Sequence, residues 1–185
     1  MLEIEAKYPV SDWTQIEQQL RAWGSHFDDE REGADQYFNA PDRDFARTDE
    51  ALRIRQIGMT NLVTYKGPKI DAQTKTRTEI EVPLAAGEPV AEEFGQLLMH
   101  LGYRPVAVVR KQRRVAHLAR GGFQMEVCLD NVAEVGRFLE IEIMAPAEAL
   151  EQARGVLLKT AAELGLARQE RRSYLEMLLA QRGLT

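Results

Sequence analysis

Glu3-Ile4-Glu5-Ala6-Lys7 opens the chain with a period of two. Glu3, Glu5 and Lys7 point to one face of an extended strand, and Leu2, Ile4, Ala6 and Tyr8 to the other. A single strand of this kind is an ordinary half-buried strand with a wet side. The Glu-Ile-Glu triplet recurs, however, at Glu79-Ile80-Glu81 and at Glu140-Ile141-Glu142. Each copy meets a proline within a few residues (Pro9, Pro83 and Pro146), and each is followed by a helical pattern. Like charges on neighbouring strands repel. Three acidic strands in one domain therefore point to a shared cation.

Outward from these triplets, the chain reads as strands interleaved with amphipathic helices. Asp12, with Gln15 three residues on, has capping-box spacing for a helix carrying Trp13, Ile16, Leu20 and Trp23, which Gly24 ends. Pro89 opens a second helix to Leu101, with Val90, Phe94, Leu97, Leu98 and Leu101 as its inward stripe. Ala147 to Leu164 is the longest helix, and a short one from about Ser173 to Gln181 finishes the chain. Strands are expected at Gln36 to Phe38, Ala51 to Ile57, Asn61 to Lys66, Lys75 to Glu81, Val106 to His117, Phe123 to Asp130 and Arg137 to Met144. His26 to Ala34 reads as polar and irregular, the stretch from Asn39 to Glu50 as turn and loop, and Gly67 to Ala72 as a mobile loop. No boundary divides the chain, so residues 1–185 are expected to form a single domain.

Composition narrows the class. Of 185 residues, 44% are hydrophobic and 29% charged, as in a soluble globular protein, and no apolar run approaches the ~20 residues of a membrane span. The first strand begins at once and leaves no room for a signal peptide. The lone Cys128 excludes an internal disulfide and fits a reducing compartment, so a cytoplasmic protein with no membrane partner is expected. A net charge of -5 argues against a nucleic-acid partner.

The strands each pair a charged face with an apolar one. A flat sheet with its charges in solvent fits this pattern, and so does a sheet closed on itself with charges inside, where they must be paired, wet or ligand-bound. The charged faces carry Lys7, Arg53, Arg55, Lys66, Arg77, Lys111 and Arg113, balanced by Glu3, Glu5, Glu79, Glu81, Asp130, Glu140 and Glu142. The two signs are segregated by strand. Arginine forks and lysine ammoniums grip phosphate oxygens, and carboxylate clusters hold Mg²⁺ or Mn²⁺, which also bridges phosphates. Together they describe a site for a metal-bound polyphosphate. No Walker loop or dinucleotide fingerprint is present. His26, His100 and His117 lack metal-ligand spacing, Cys128 reads as a small barrel-facing residue, and Trp13 and Trp23 as core.

These residues resemble the signature of the CYTH superfamily, the triphosphate tunnel metalloenzymes. The resemblance runs in order through Glu3-x-Glu5-x-Lys7, Asp35-Gln36-Tyr37-Phe38, Leu52-Arg53-Ile54-Arg55, Thr64-Tyr65-Lys66-Gly67, Arg77-x-Glu79-x-Glu81, Lys111-x-Arg113, Asp130 and Glu140-x-Glu142. Arg110-Lys111-Gln112-Arg113 and Arg172-Ser173-Tyr174 are most similar to the class IV adenylyl cyclases.

The resemblance implies an α+β fold, a closed eight-stranded antiparallel β-barrel forming a tunnel, with helices packed outside. It implies metal carboxylates at Glu3, Glu5, Glu140 and Glu142, supported by Asp130 and by Glu79 or Glu81. Phosphate binders would be Lys7, Arg53, Arg55, Lys66, Arg77, Lys111 and Arg113, and among these Lys111, Lys7 and Arg113 are the candidate catalytic residues. The expected reaction is Mg²⁺-dependent conversion of ATP to 3′,5′-cyclic AMP and pyrophosphate. The alternative is a triphosphatase acting on inorganic triphosphate, thiamine triphosphate or a nucleotide. A polyphosphate sensor would have lost carboxylates that this chain keeps. A homodimer is a further expectation from the resemblance. Glu126 and Lys75 share the inward parity but lie outside the signature, and Asp35 and Tyr37 are open between lumen and turn.

Overall fold

The computed structural model describes residues 2–70, 74 and 76–184. The strands are β1 (Leu2–Pro9), β2 (His26–Phe27), β3 (Arg31–Asn39), β4 (Ala51–Ile57), β5 (Thr60–Lys66), β6 (Glu79–Leu84), β7 (Arg104–Arg120), β8 (Phe123–Val132) and β9 (Gly136–Ala145). The helices are α1 (Thr14–Ala22), α2 (Phe45–Thr48), α3 (Glu88–His100), α4 (Leu150–Glu163) and α5 (Tyr174–Gln181). A helix follows each Glu-Ile-Glu strand, as the pattern implied.

One antiparallel sheet runs β1-β9-β8-β7-β3-β4-β5-β6, and β2 pairs with β7 off this path. It curls into a half-barrel but does not close, which corrects the expectation of a closed eight-stranded barrel. Among the described residues, β1 meets the segment before β6 at one isolated bridge, where the Arg77 N–H donates to the Glu3 carbonyl at 3.4 Å. Closure requires a ladder carried along both edges. Here β6 begins only at Glu79, and the Lys7 carbonyl on the same edge of β1 accepts instead from the Glu170 N–H at 2.7 Å. The segment after α4 thus occupies the edge that a ladder would need.

The period of two sorts most strands as read, but not the edge strand β6, where Ile80 and Val82 are 54% and 51% exposed. Ile4 and Ala6 are fully buried with Val127, Leu139 and Ile141, against Leu20 of α1 and Ala153 and Leu157 of α4. Each large aliphatic side chain buried this way contributes roughly 1.5–3 kcal/mol. A smaller cluster sets Ala91 and Leu98 of α3 on Phe38 and Ile54. The stripe expected on this helix is rotated, because Leu97 and Leu101 are 51% and 63% exposed. Gly95 explains the rotation: a Cβ there would stand 3.5 Å from Phe38, so the helix approaches on its Ala91–Gly95–Leu98 side.

Other boundaries shift for identifiable reasons. The stretch read as irregular holds β2 and the start of β3, since the 17-residue β7 supplies partners such as His117 for His26 and Arg113 for Arg31. The loop before Glu50 contains α2, capped by Asp44, whose side chain accepts from the Ala46 N–H. Asp12 does not cap α1 through Gln15; its carboxylate accepts from the Thr14 N–H and hydroxyl. The strand expected from Lys75 starts at Glu79, and Lys75 lies outside the described residues, as do Asp71 and Ala72 of the expected loop. The longest helix begins at Leu150, after a 3₁₀ turn at Ala147–Ala149.

The C-terminal helix has a larger role than its length suggested. Ser173 and Glu176 form a reciprocal capping box at its start. Tyr174, Met177 and Leu178 then pack on Tyr37, Val109, Val132 and Phe138. Those four sit on the same strand faces as the charged residues, so α5 covers one end of the sheet's concave side.

Candidate active site

The charged faces line a cavity of about 780 Å³ bounded by Glu3, Glu5, Arg53, Arg55, Lys66, Glu79, Glu81, Lys111, Arg113, Glu140, Glu142 and Tyr174, among others. Lys7 and Arg77 line an adjoining cavity of about 220 Å³, which also touches Glu5, Arg53 and Lys66. Asp130 is fully buried beneath the basic wall. The flat, solvated arrangement that the alternation also permitted is not the one adopted.

Acidic side chains concentrate at the β1–β9 seam. Glu5 and Glu142 are directly paired, and one carboxylate oxygen each from Glu3, Glu5 and Glu142 lie within 4.8 Å of one another. Burial pushes the Glu142 carboxyl up to about 7, with Glu3, Glu140 and Glu5 adding to it against the pull of Arg113. Burial also raises Glu3, in spite of Lys66. A divalent cation would relieve both groups, and three hard carboxylate oxygens are donors that Mg²⁺ or Mn²⁺ accepts. The residues present therefore fit such an ion.

The other carboxylates are engaged differently. Asp130 accepts from Arg113 Nε at 2.7 Å and Nη2 at 2.6 Å, and from the Tyr174 hydroxyl at 2.8 Å. Glu140 pairs with Arg113 and stands 3.8 Å from Lys7 Nζ. Glu79 sits 2.6 Å from Lys66 Nζ, and Glu81 accepts from the Thr64 hydroxyl at 3.1 Å. Lys66 also donates to Glu3 at 2.8 Å, so its ammonium ties β5 to both edges of the sheet.

On the basic wall, Arg55 forks onto Asp35 with bonds of 2.8 and 3.0 Å, and Arg53 reaches the same carboxylate at 3.1 Å. Burial works against Asp35 ionising, but Arg53 and Arg55 outweigh it and hold its pKa far below the carboxylate range. The Lys111 ammonium is 3.8 Å from Asp130, and its pKa is lowered by burial and then by Arg113 and Arg55. Lys7 lies 4.0 Å above the Tyr174 ring. Arg77 is 3.8 Å from Asp49. The sequence reading gave Asp35 and Tyr174 no assigned site role. For Asp35 the parity with Tyr37 was the available signal; for Tyr174, which comes in from α5, periodicity held none.

The profile of the CYTH domain matches residues 1–174, and the chain belongs to that family. It is 40% identical over 142 residues to a Methanocaldococcus jannaschii protein named "Putative adenylate cyclase MJ0240", covering 77% of each chain. It is 38% identical to the PH1819 protein of Pyrococcus horikoshii OT3, with a TM-score of 0.85 over 97% of this chain and 99% of that one. Its fold is also similar to that of HpAC1 from Hippeastrum, described as a "putative adenylyl cyclase" with a dominant triphosphatase activity (15% identity, TM-score 0.65, 100% and 96% coverage). Among the described residues no helix is long and apolar enough to cross a membrane.

Proposed function

We propose that this protein is a divalent-cation-dependent adenylyl cyclase that converts ATP to 3′,5′-cyclic AMP and pyrophosphate. The observation that carries the reading is the division of one cavity into the carboxylate group Glu3, Glu5 and Glu142 and a facing wall of Arg53, Arg55, Lys66, Lys111 and Arg113. The 40% identity to a protein named for this activity supports it further.

In this reading Glu3, Glu5 and Glu142 hold Mg²⁺ or Mn²⁺, with Glu79, Asp130 and Glu140 keeping the surrounding cations in place and Glu81, bonded to Thr64, supporting at the edge of the site. A bound ion would neutralise charge on the triphosphate and on the departing pyrophosphate. Arg53, Arg55, Lys66 and Arg113 grip the β- and γ-phosphates, and Lys7 and Arg77 extend the grip into the adjoining cavity. Lys111 orients the α-phosphate. The ribose 3′ oxygen then attacks the α-phosphorus, the bond to the bridging oxygen of the β-phosphate breaks, and pyrophosphate leaves. The 3′ proton needs an acceptor, and Lys111 is less basic than an ordinary lysine because it is buried beside Arg113.

A triphosphatase would use the same grip with water in line with the terminal phosphorus, the activity described for HpAC1. Incubating the protein with ATP and Mg²⁺ and separating the nucleotides by chromatography distinguishes the two. Cyclic AMP with pyrophosphate is expected. ADP and orthophosphate without cyclic AMP would overturn the cyclase reading in favour of the triphosphatase.

A further inference from the structure

The smaller cavity has a wall that the phosphate grip does not use. Glu5, Arg53, Lys66 and Tyr174 line both this cavity and the charged one, so the two spaces adjoin at these side chains. Lys7 stands 4.0 Å and Lys111 5.5 Å from the Tyr174 ring, which puts the lysine assigned to the α-phosphate at the junction. Elsewhere the lining is apolar, with Phe45 and Ala46 of α2, Val106 of β7, and Leu175 and Leu179 of α5. Met177 and Leu178 turn the other side of α5 into the core, and Leu175 and Leu179 are left half-buried. A groove between α2 and α5 thus continues the triphosphate cavity.

We infer that this groove holds the base of a nucleoside triphosphate, gripping the ring by its faces without reading its edge. The inference rests on the reading of the charged cavity as a triphosphate grip. At about 220 Å³ the smaller cavity falls below the roughly 300–1,000 Å³ of pockets for drug-sized ligands, so it suits one ring system. The polar side chains on the α2 and α5 walls are already engaged. Asn39 Oδ1 accepts from the Ala40 and Phe45 N–H groups, and its Nδ2 donates to Asp44 at 3.0 Å. Glu50 accepts from Arg43 and from the hydroxyls of Thr48 and Tyr65. Ser173 and Glu176 bond each other in the capping box, and Lys69 is paired with Asp49. A site rejects the wrong base by orders of magnitude when that base leaves a buried polar group unpaired. Here the walls' polar groups keep their partners whichever base is present. Burial and stacking against Phe45, Leu175 and Leu179 serve any base, since every base has a π face. The tail therefore selects the substrate, and adenine has no advantage over guanine in binding.

The test is calorimetric titration in chelator, where no metal supports turnover, with ATP, GTP and tripolyphosphate. ATP and GTP carry the same ring system with donors and acceptors exchanged at its edge. Their affinities should agree within about tenfold, and a wider gap would overturn the inference. Leu179→Ala removes one apolar wall at a half-buried position outside the core clusters. It should weaken both nucleotides about fivefold or more and leave tripolyphosphate unchanged, which also shows that the fold is kept. Nucleotide affinity unaltered in Leu179→Ala would overturn the inference too. The two readings fail separately: if tripolyphosphate does not bind the native chain, the triphosphate grip falls and the groove with it. If it binds and Leu179→Ala changes nothing, the groove falls alone.

Discussion

Glu5 on β1 and Glu142 on β9 stand directly opposite each other in the sheet, the less favourable placement for two carboxylates. Their neighbours in sequence hold them there. Ile4, Ala6, Ile141 and Ile143 are buried on the other face, and moving either strand by one residue would expose that row to the cavity. Hydrophobic burial thus fixes the register, and the charge repulsion is what a cation would relieve.

Burial of Glu142, with Glu3, Glu140 and Glu5 adding to it, makes the metal-free protein lose stability as pH rises. With the Glu142 carboxyl raised from 4.5 to about 7, the folded chain holds more protons than the unfolded one between those values. Its destabilising contribution is absent below about 4.5, grows through the window and is complete above about 7, on the order of 1–3 kcal/mol after solvent screening. Melting temperature in chelator should therefore fall across this range. Glu142→Gln should flatten the slope, and Glu5→Gln should leave metal-free stability equal or higher. An unchanged slope in Glu142→Gln would assign the effect to another group.

Arg113 holds three carboxylates at once, those of Asp130, Glu140 and Glu142. Arg113→Ala leaves the fully buried Asp130 with Lys111 and Tyr174 as its remaining partners. A loss of about 3–5 kcal/mol in urea unfolding is expected, with Arg113→Lys intermediate because it keeps the charge and loses the fork. Equal stabilities for the native chain and Arg113→Ala would show that the pairing is not structural.

Arg53 and Arg55 converge on Asp35 and should grip phosphate oxygens from there. Arg53→Ala and Arg55→Ala should each weaken metal-free tripolyphosphate binding about tenfold or more, as expected for a lost charged hydrogen bond. In calorimetric titrations ATP should behave like tripolyphosphate, and AMP should bind far more weakly. If tripolyphosphate affinity survives both changes, the arginine pair is not the grip.

Tyr174 joins the end of the cavity to its charged centre, with its ring under Lys7 and its hydroxyl on Asp130. Tyr174→Phe removes the hydroxyl alone and should cost about 1–3 kcal/mol, because a buried acceptor loses a donor. Tyr174→Ala also empties the ring's place against Phe138 and should cost about 3–5 kcal/mol. Chemical denaturation of the pair separates the two contributions; equal losses would mean that the ring packing contributes little.

The alternation of Glu3, Glu5 and Lys7 with Ile4 and Ala6 determined which face of each strand is charged, because side-chain direction in a strand depends only on sequence parity. For the same reason Arg53, Arg55, Lys111, Arg113, Glu140 and Glu142 were identifiable as charged-face residues without coordinates, whereas a flat sheet fits the same parity, so the curl that gathers them round one cavity was decided by the tertiary structure. The family signature followed from their order along the chain. Three features depended on distance through space. The sheet stays open because the Glu170 N–H, more than 160 residues along the chain from Lys7, takes a carbonyl on the edge of β1. Asp35 gathers Arg53 and Arg55, and α5 brings Tyr174 over Lys7, through contacts that no local period encodes. Which carboxylates cluster and which pair with arginine was likewise decided by register: Glu140 and Glu142 share a face, yet Glu140 lies opposite Lys7 and Glu142 opposite Glu5.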